Sequence, residues 1–213
     1  MAIDGICGPE TIQALDRVNG HSGNGPGVVT VREYEEFLRG DSFGADYAQP
    51  RIVLAMSSAQ PPQLLSLIQH ISRRLHTCSD QILILDDINH AAQVRTANTF
   101  NAHVFVGIGC NPGEANFVAY YKTENFVSRG GKSLAKIVET KFGDLSIEKL
   151  PVVAMRLPVL RETRMPAIYC NIADRDVVTT SWRDIGDTLA NAITIWILSE
   201  SLGRRQAAAT KHV

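Results

Sequence analysis

The chain has 213 residues, of which 45% are hydrophobic and 20% are charged, and its formal net charge is −1. This length and composition predict one globular domain whose core is large enough to be stable without disulfides or structural metals. Because lysine and arginine are scattered along the chain, the charge pattern argues against binding to nucleic acid or to an anionic membrane.

The first 49 residues predict two short helical pieces separated by a linker. Residues 1–18 carry apolar side chains at helical spacing, with Pro9 in the first turn. Residues 19–27 read NGHSGNGPG, a glycine-rich polar run that is typical of a flexible linker. A second helix is predicted in VREYEEFLRG, where Gly40 would end it. Residues 19–49 are therefore expected to form a linker with one short helix.

From Arg51 onward, apolar runs of strand length alternate with amphipathic runs of helix length. Strands are predicted over residues 51–56, 81–86, 103–109, 116–122 and 166–172, and helices over residues 61–75, 89–100, 130–143 and 181–200. Because the strands are continuously apolar and separated by helices, we predict an α/β fold. It would be a single three-layer domain over residues 50–202, with a mainly parallel, twisted sheet and helices on both faces.

Two further regions carry no predicted strand or helix. Residues 144–165 have no clear periodicity, so no element is assigned to them. The tail, residues 203–213, lacks an apolar stripe and is expected to be disordered.

The cysteines and the N-terminus together predict a cytoplasmic protein. The four cysteines lie far apart without a C-x-x-C pair, which favours reduced thiols over disulfides. The first residues, MAIDGICGPE, lack the basic segment and apolar stretch of a signal peptide. The longest apolar region, LANAITIWILSESL, is interrupted by polar residues and is too short to cross a bilayer. We therefore expect no membrane association.

Two segments of the predicted domain resemble one known family. The stretches VRTANTFNAHVFVGIGCN, residues 94–111, and LPVLRETRMPAIYCNIADRD, residues 157–176, are similar to motifs of the zinc-dependent N-acetylmuramoyl-L-alanine amidases of type 3. The resemblance spans about residues 50–200 and implies the amidase-like α/β fold. The residues in register with the family are Arg95, Ala97, Asn98, Ala102, Phe105, Asn111, Leu160, Arg161, Met165 and Pro166.

The same resemblance implies a zinc site for which this sequence has other residues. In the family, two His and one Glu hold zinc, and a second Glu takes a proton from the metal-bound water. By register, the first His position is Ser58, the second is Gly109 and the catalytic Glu position is Asn171. The Glu ligand falls between Gln60 and Gln63, where no acid occurs. We therefore expect no zinc and no other cofactor.

The positions of the family's site define what we call the vestigial groove. Its polar side chains could hydrogen-bond a muropeptide fragment without catalysis. The vestigial groove comprises Ser58, Gln60, Gly109, Asn111 and Asn171.

A relocated zinc site built from other histidines is the less favoured interpretation. His103 is six residues from Gly109 along one predicted strand, roughly 20 Å at strand rise. The other histidines fall on predicted helices or their ends, where surface positions are the ordinary expectation. These are His70, His76 and His90.

Two other motifs could carry chemistry, and a structural interpretation is favoured for each. Cys110 follows a predicted strand, but no histidine is placed in sequence to activate it, so a buried thiol is favoured. The run SRGGKS, residues 128–133, resembles a phosphate-binding loop but has Phe126 where that motif needs glycine. A helix start capped near Ser128 is favoured, and weak anion binding there is the alternative.

The N-terminal segments suggest a more specific relative within this family. The run IDGICGPETIQALDRV resembles the last third of a peptidoglycan-binding module, so residues 1–18 would be a remnant of one. With the helix VREYEEFLRG and a degenerate amidase domain, the chain resembles the actinobacterial CwlM-type regulators. That resemblance implies a cytoplasmic partner in peptidoglycan precursor synthesis, the carboxyvinyltransferase that acts on UDP-N-acetylglucosamine.

We therefore predict a catalytically inactive, amidase-like binding or regulatory factor of bacterial peptidoglycan synthesis. One alternative is an active zinc-dependent amidase that cleaves the amide between N-acetylmuramic acid and L-alanine. The other is a non-catalytic binder of peptidoglycan fragments. Hydrolysis of muropeptides separates the first alternative, and titration with muramyl peptides separates the second.

Overall fold

The structure is a computed structural model that describes residues 50–57, 61–86, 89–143, 145 and 149–210, with side chains described up to residue 200. The predicted remnant over residues 1–18 and the predicted linker over residues 19–49 lie outside the described residues. The groove residues Ser58 and Gln60 also lie outside them.

One six-stranded sheet forms the centre of the domain. Its strands run in the spatial order β2-β1-β3-β6-β4-β5. All neighbouring pairs are parallel except β4 with β6, so β4 and β5 run opposite to the other four strands. The strands are β1 (Ile52–Met56), β2 (Ile82–Leu85), β3 (Val104–Gly109), β4 (Phe117–Tyr121), β5 (Val152–Met155) and β6 (Ala167–Asn171).

Helices cover both faces of the sheet. The described helices are α1 (Gln63–Leu75), α2 (His90–Thr99), α3 (Arg129–Gly143), α4 (Pro158–Glu162) and α5 (Arg175–Thr210). Helices α1, α3 and α5 pack on one face, where the larger core cluster lies, and α2 and α4 pack on the other. The predicted α/β fold, a three-layer domain with a mainly parallel sheet, is confirmed.

The central strands are buried along their whole length, which explains their continuous apolar sequences. Every residue of β1, β3 and β6 is buried, because helices on both faces exclude water. Successive side chains of a strand point to opposite faces, so Val104, Val106 and Ile108 join the larger cluster and Phe105 joins the smaller one. Gly109 and Asn171 lie on the face of the sheet that the smaller cluster covers.

Two elements occupy the range to which the sequence assigned none. Strand β5 has four residues, lies at the edge of the sheet and is only partly buried. Helix α4 has five residues and begins with Pro158, which suits the first turn of a helix. Neither element is long enough to show a period, which is why residues 144–165 looked ambiguous.

The last helix extends beyond the predicted one at both ends, and a kink at Ser181, whose φ of −115° and ψ of 17° are not helical, divides it into two segments. It begins at Arg175, because the Asp174 carboxylate accepts from the backbone N–H groups of Asp176 at 2.7 Å and Val177 at 3.2 Å. It continues to Thr210, so residues 203–210 are helical where disorder was expected. The run RRQAAAT is rich in strong helix formers, which accounts for the extension. None of the described helices has the length and apolarity needed to cross a membrane.

Candidate functional site

Three parallel strands bring the predicted site positions to one edge of the sheet. Strands β1, β3 and β6 are neighbours, and their C-terminal ends hold Ser57, Gly109 and Asn171. Gly109 is directly opposite Asn171 in the pairing of β3 with β6. The predicted second His position and the predicted catalytic Glu position are therefore adjacent, about 5 Å apart across the ladder. In open α/β sheets this edge is where ligands commonly bind.

The side chain of Tyr169 occupies the space above the two glycines of β3. A Cβ atom on Gly107 would lie 2.9 Å from the Tyr169 ring, and one on Gly109 would collide with the Tyr169 hydroxyl. The same Cβ atom on Gly109 would lie 2.5 Å from the Ser57 hydroxyl. In the run VFVGIG, the two valines and the isoleucine point to one face of the sheet. Phe105 and the two glycines lie on the other face, where the glycines leave room for the Tyr169 ring.

The Tyr169 hydroxyl is held by polar neighbours at the strand ends. It lies 2.7 Å from Ser57 Oγ and accepts from Asn111 Nδ2 at 3.2 Å. Ser57 Oγ also donates to the Ile108 carbonyl at 3.2 Å. Burial raises the pKa of Tyr169, and its hydrogen bonds with Ser57 and Asn111 only partly offset that rise. The phenol therefore stays protonated at neutral pH, and it fills this space while hydrogen-bonded to its neighbours.

Asn171 uses both ends of its amide to hold the loop between β3 and β4. Its side chain is fully buried, its Oδ1 accepts from the Asn111 N–H at 3.2 Å, and its Nδ2 donates to the Ala115 carbonyl at 2.9 Å. Asn116, at the end of the same loop, accepts from the Ala173 N–H at 2.7 Å. These bonds explain the burial of a polar side chain, because both the oxygen and the nitrogen of its amide have a partner within the protein.

The described residues at this edge do not fit a zinc ion. Zinc in proteins takes thiolate, imidazole and carboxylate ligands, usually three or four of them. Within the part of the chain that the structure describes, no three His, Cys, Asp or Glu side chains gather closely enough to hold a metal ion. The side chains nearest Gly109 are instead a phenol, a hydroxyl and two amides.

The histidines are dispersed over the domain. His103 lies at the opposite end of β3, where its Nδ1 accepts from the Arg51 N–H at 2.8 Å. His70 on α1 lies 2.9 Å from a carboxylate oxygen of Asp187 on α5. His76 and His90 lie at the ends of α1 and α2. His90 lies at the same edge of the sheet as Gly109, because its helix follows the C-terminal end of β2 and Gln93 in the first turn donates to the Met56 carbonyl at 2.6 Å. Among the described residues, however, no three potential ligands gather around it.

Cys110 is a buried thiol, as the sequence favoured. Only 2% of the residue is exposed, and burial raises the pKa of the thiol. A neutral thiol is a poor nucleophile, so Cys110 lacks the activation that covalent catalysis requires. Burial also raises the pKa of Cys78 to about 11 and that of Cys170 to about 12.

The raised pKa values predict slow alkylation of all three thiols. At pH 8 we expect iodoacetamide to modify Cys78, Cys110 and Cys170 at least about 100-fold more slowly in the native chain than in urea, because thiolate is scarce and access is restricted. Peptide mapping by mass spectrometry gives the three rates separately. Rapid modification of Cys110 in the native chain would mean an activated thiol and would contradict this interpretation.

Three of the residues in register with the family, Asn98, Arg161 and Pro166, lie near the start of β6, away from Gly109. Asn98 on α2 donates to the Glu162 carbonyl and accepts from the Arg164 N–H, both at 3.0 Å, so it holds the turn after α4. Arg161 is exposed and lies 2.6 Å from the Glu162 carboxylate. Pro166 packs on Gly130, and Arg95 is exposed on α2. The contacts of Asn98 and Pro166 are structural ones.

The run SRGGKS begins a helix, as its favoured interpretation predicted. Helix α3 starts at Arg129, and Ser128 Oγ accepts from the Gly131 N–H at 3.3 Å. A Cβ atom on Gly131 would lie 2.7 Å from the Ala167 carbonyl oxygen. The glycine therefore allows close packing of α3 on β6.

Comparison with known proteins finds matches to the fold but not to the sequence. No protein-family model and no curated protein matches the sequence. Solved structures do match the fold, and 96–97% of each of the following chains is covered. The N-acetylmuramoyl-L-alanine amidase AmiC2 of Nostoc punctiforme is 19% identical over 70% of this chain, with a TM-score of 0.51.

Two further solved structures agree. The catalytic domain of CwlV, an N-acetylmuramoyl-L-alanine amidase from Bacillus (Paenibacillus) polymyxa var. colistinus, is 17% identical over 68% of this chain, with a TM-score of 0.53. An N-acetylmuramyl-L-alanine amidase from Mycobacterium smegmatis is 12% identical over 70% of this chain, with a TM-score of 0.53. At these identities the likeness establishes the fold.

Proposed function

We propose that this chain, which has the fold of N-acetylmuramoyl-L-alanine amidases, is a catalytically inactive relative that acts as a binding or regulatory factor in bacterial peptidoglycan synthesis. One observation carries the proposal. The strand ends that would hold a ligand and a base carry Gly109 and Asn171, and Tyr169 fills the space over Gly109.

The chemistry of amide hydrolysis supports the loss of activity. A zinc-dependent amidase needs a metal that lowers the pKa of bound water and a carboxylate that accepts its proton. Gly109 has no side chain, and adding one meets Tyr169. Asn171 carries an amide that cannot accept a proton at neutral pH, and both of its ends are bonded to the loop after β3. The strand ends at positions 109 and 171 therefore offer neither a metal ligand nor a base.

The finer parts of the proposal rest on the resemblance of the sequence. Residues 1–18 would be the remnant of a peptidoglycan-binding module and residues 19–49 a linker, as in the CwlM-type regulators. The partner would be a cytoplasmic protein of peptidoglycan precursor synthesis. Binding of muropeptide fragments in the vestigial groove is the competing role, since Asn111 and Asn171 lie there, although their amides already bond within the domain.

Metal content is the first test of the proposal. We expect the purified full-length chain, loaded with zinc and then desalted, to retain no stoichiometric zinc by elemental analysis, because the described edge has no ligand set. The same preparation should release no peptide from muropeptides, with or without chelator. A zinc-loaded active amidase of the same fold is the positive control. Stoichiometric zinc with hydrolysis that a chelator abolishes would overturn the proposal in favour of an active amidase.

Binding experiments then separate a regulator from a fragment binder. A regulator should capture the carboxyvinyltransferase in a pull-down with purified proteins and should give no saturable heat with muramyl peptides. The opposite pair of results would assign the groove to peptidoglycan fragments and would contradict the regulatory role.

A further inference from the structure

A cavity lies at the start of β6, away from Gly109 and Asn171. It has a volume of about 450 Å³ and opens between the β4–α3 connection and the α4–β6 connection. Strand β4 is antiparallel to β6, so its C-terminal end and the start of β6 meet at this edge. The side chains that matter in this aromatic-arginine cavity are Tyr121, Phe126, Val127, Arg129, Arg161 and Arg164.

An exposed aromatic ring forms one wall of the aromatic-arginine cavity. Phe126 is 56% exposed, and its ring centroid lies 5.9 Å from that of Tyr121. A tight hairpin turn holds it there, because the Thr123 N–H donates to the Phe126 carbonyl at 2.8 Å and the Ser128 N–H to the Tyr121 carbonyl at 3.0 Å. The chain thus holds a large apolar side chain in water on an ordered turn.

The exposed apolar surface of the domain is concentrated at this cavity. Among the described residues, the large hydrophobic side chains that are exposed are Leu65, Phe126 and Val127. Two of these three line the cavity. Leu65 lies on α1 and so provides a matched position outside the cavity.

Three arginines and no aspartate or glutamate are among the residues that line the same cavity. Arg161 is paired with Glu162 at 2.6 Å, whereas Arg129 and Arg164 make no ion pair among the residues that the structure describes. The backbone of Arg164 is fixed by its 3.0 Å hydrogen bond to Asn98 Oδ1. The cavity therefore combines an excess of positive charge with a fixed aromatic wall.

We propose that the aromatic-arginine cavity binds a ligand in which a phosphate group is joined to a planar ring, the chemistry of a nucleotide. A guanidinium group can donate two parallel hydrogen bonds to phosphate oxygens, and an exposed phenyl ring provides a stacking face for a base. The volume lies within the range of small-molecule sites. The cavity is concave and local, so it suits a compact ligand better than an extended acidic peptide.

The proposal does not depend on whether the other edge of the sheet is catalytic. The cavity shares no residue with the strand ends that carry Ser57, Gly109 and Asn171. Its ligand can therefore be tested by direct binding, with no readout of hydrolysis or zinc content.

Calorimetric titration of the full-length chain with adenosine diphosphate, pyrophosphate and adenosine tests the proposal. We expect adenosine diphosphate to bind with saturation and more tightly than either of the other two probes. Arg129→Gln and Arg164→Gln should each weaken its binding by about tenfold, because a charge-assisted hydrogen bond is lost. Phe126→Ala should weaken adenosine diphosphate by about tenfold and leave pyrophosphate unchanged, because only the base stacks.

Matched substitutions outside the cavity control for charge and for folding. Arg73→Gln removes an exposed guanidinium from α1, and Leu65→Ala removes an exposed apolar side chain from the same helix. Neither should change the affinity. All five altered side chains lie at the surface, and far-ultraviolet circular dichroism confirms that each variant is folded.

Four results would overturn the proposal. The first is the absence of saturable binding by adenosine diphosphate, and the second is an equal loss of affinity in Arg73→Gln and Arg164→Gln. The third is a pyrophosphate affinity equal to that of adenosine diphosphate, with no effect of Phe126→Ala. The last is tighter binding of an acidic peptide than of adenosine diphosphate. The second result would indicate a nonspecific charge effect. The last would assign the cavity to a peptide partner.

Discussion

Replacing Gly109 by alanine should lower the free energy of unfolding by about 3 kcal/mol, because the new Cβ atom overpacks the site and displaces Tyr169 from its hydrogen bonds. The Cβ atom would meet the Tyr169 hydroxyl and Ser57 Oγ, and Tyr169 Cζ would be 3.1 Å away. Gly109→His, which restores the family's residue, should be at least as destabilising. Urea unfolding followed by the fluorescence of the buried Trp196 measures both effects.

A glycine in open space provides the control for this substitution. Gly143 ends α3 and has no atom within 4 Å of an added Cβ, so Gly143→Ala should be neutral or slightly stabilising. Combining Gly109→Ala with Tyr169→Phe should reduce the cost of the alanine, because the colliding hydroxyl is gone. A Gly109→Ala variant as stable as the parent chain would show that Tyr169 does not fill this space.

We expect Asn171→Asp to be pH-dependent, with a loss of about 3 kcal/mol in the free energy of unfolding at pH 7 and much less at pH 4. A protonated carboxyl can replace the amide, since it donates to the Ala115 carbonyl and accepts from the Asn111 N–H. An ionised carboxylate has no proton to donate to the Ala115 carbonyl, so two acceptor oxygens would face each other in a buried site.

The sign follows from proton binding. Burial raises the pKa of the introduced carboxyl in the folded chain above its unfolded value of about 4. Above that pH the folded state binds more protons than the unfolded state, so stability relative to the parent falls as the pH rises from about 4.

Urea unfolding of parent and variant at both pH values measures this loss. Asn125→Asp is the matched control, because Asn125 is exposed in the hairpin before α3, and its effect should stay within about 0.5 kcal/mol at both pH values. Equal losses for Asn171→Asp at pH 4 and pH 7 would contradict the assigned role of the amide.

Most of the central fold could be predicted from sequence because its signals are local. Continuous apolar runs of five or six residues, separated by amphipathic helices, fixed β1, β3 and β6 within one or two residues of their ends. The parallel pairing of β3 with β6 places Gly109 directly opposite Asn171. Short elements such as β5 and α4 were missed because a few residues cannot show a period.

The contacts that define the two sites join residues far apart in the chain. Tyr169 rests on Gly107 and Gly109, and the spacing of two between the glycines would have been a signal only if the pairing of β3 with β6 were known. The sequence also showed arginines that looked scattered. The antiparallel course of β4 brings Arg129 near Arg161 and Arg164, a clustering that no local pattern could reveal.

The interlock of Tyr169 with the glycines of β3 constrains how this chain can evolve. A histidine at position 109 meets the tyrosine, while removal of the tyrosine leaves an empty space over Gly107 and ends the hydrogen bonds to Ser57 and Asn111. Each single step towards a metal ligand thus costs stability before any ligand set is complete. A return to metal binding at this edge would therefore require several simultaneous substitutions.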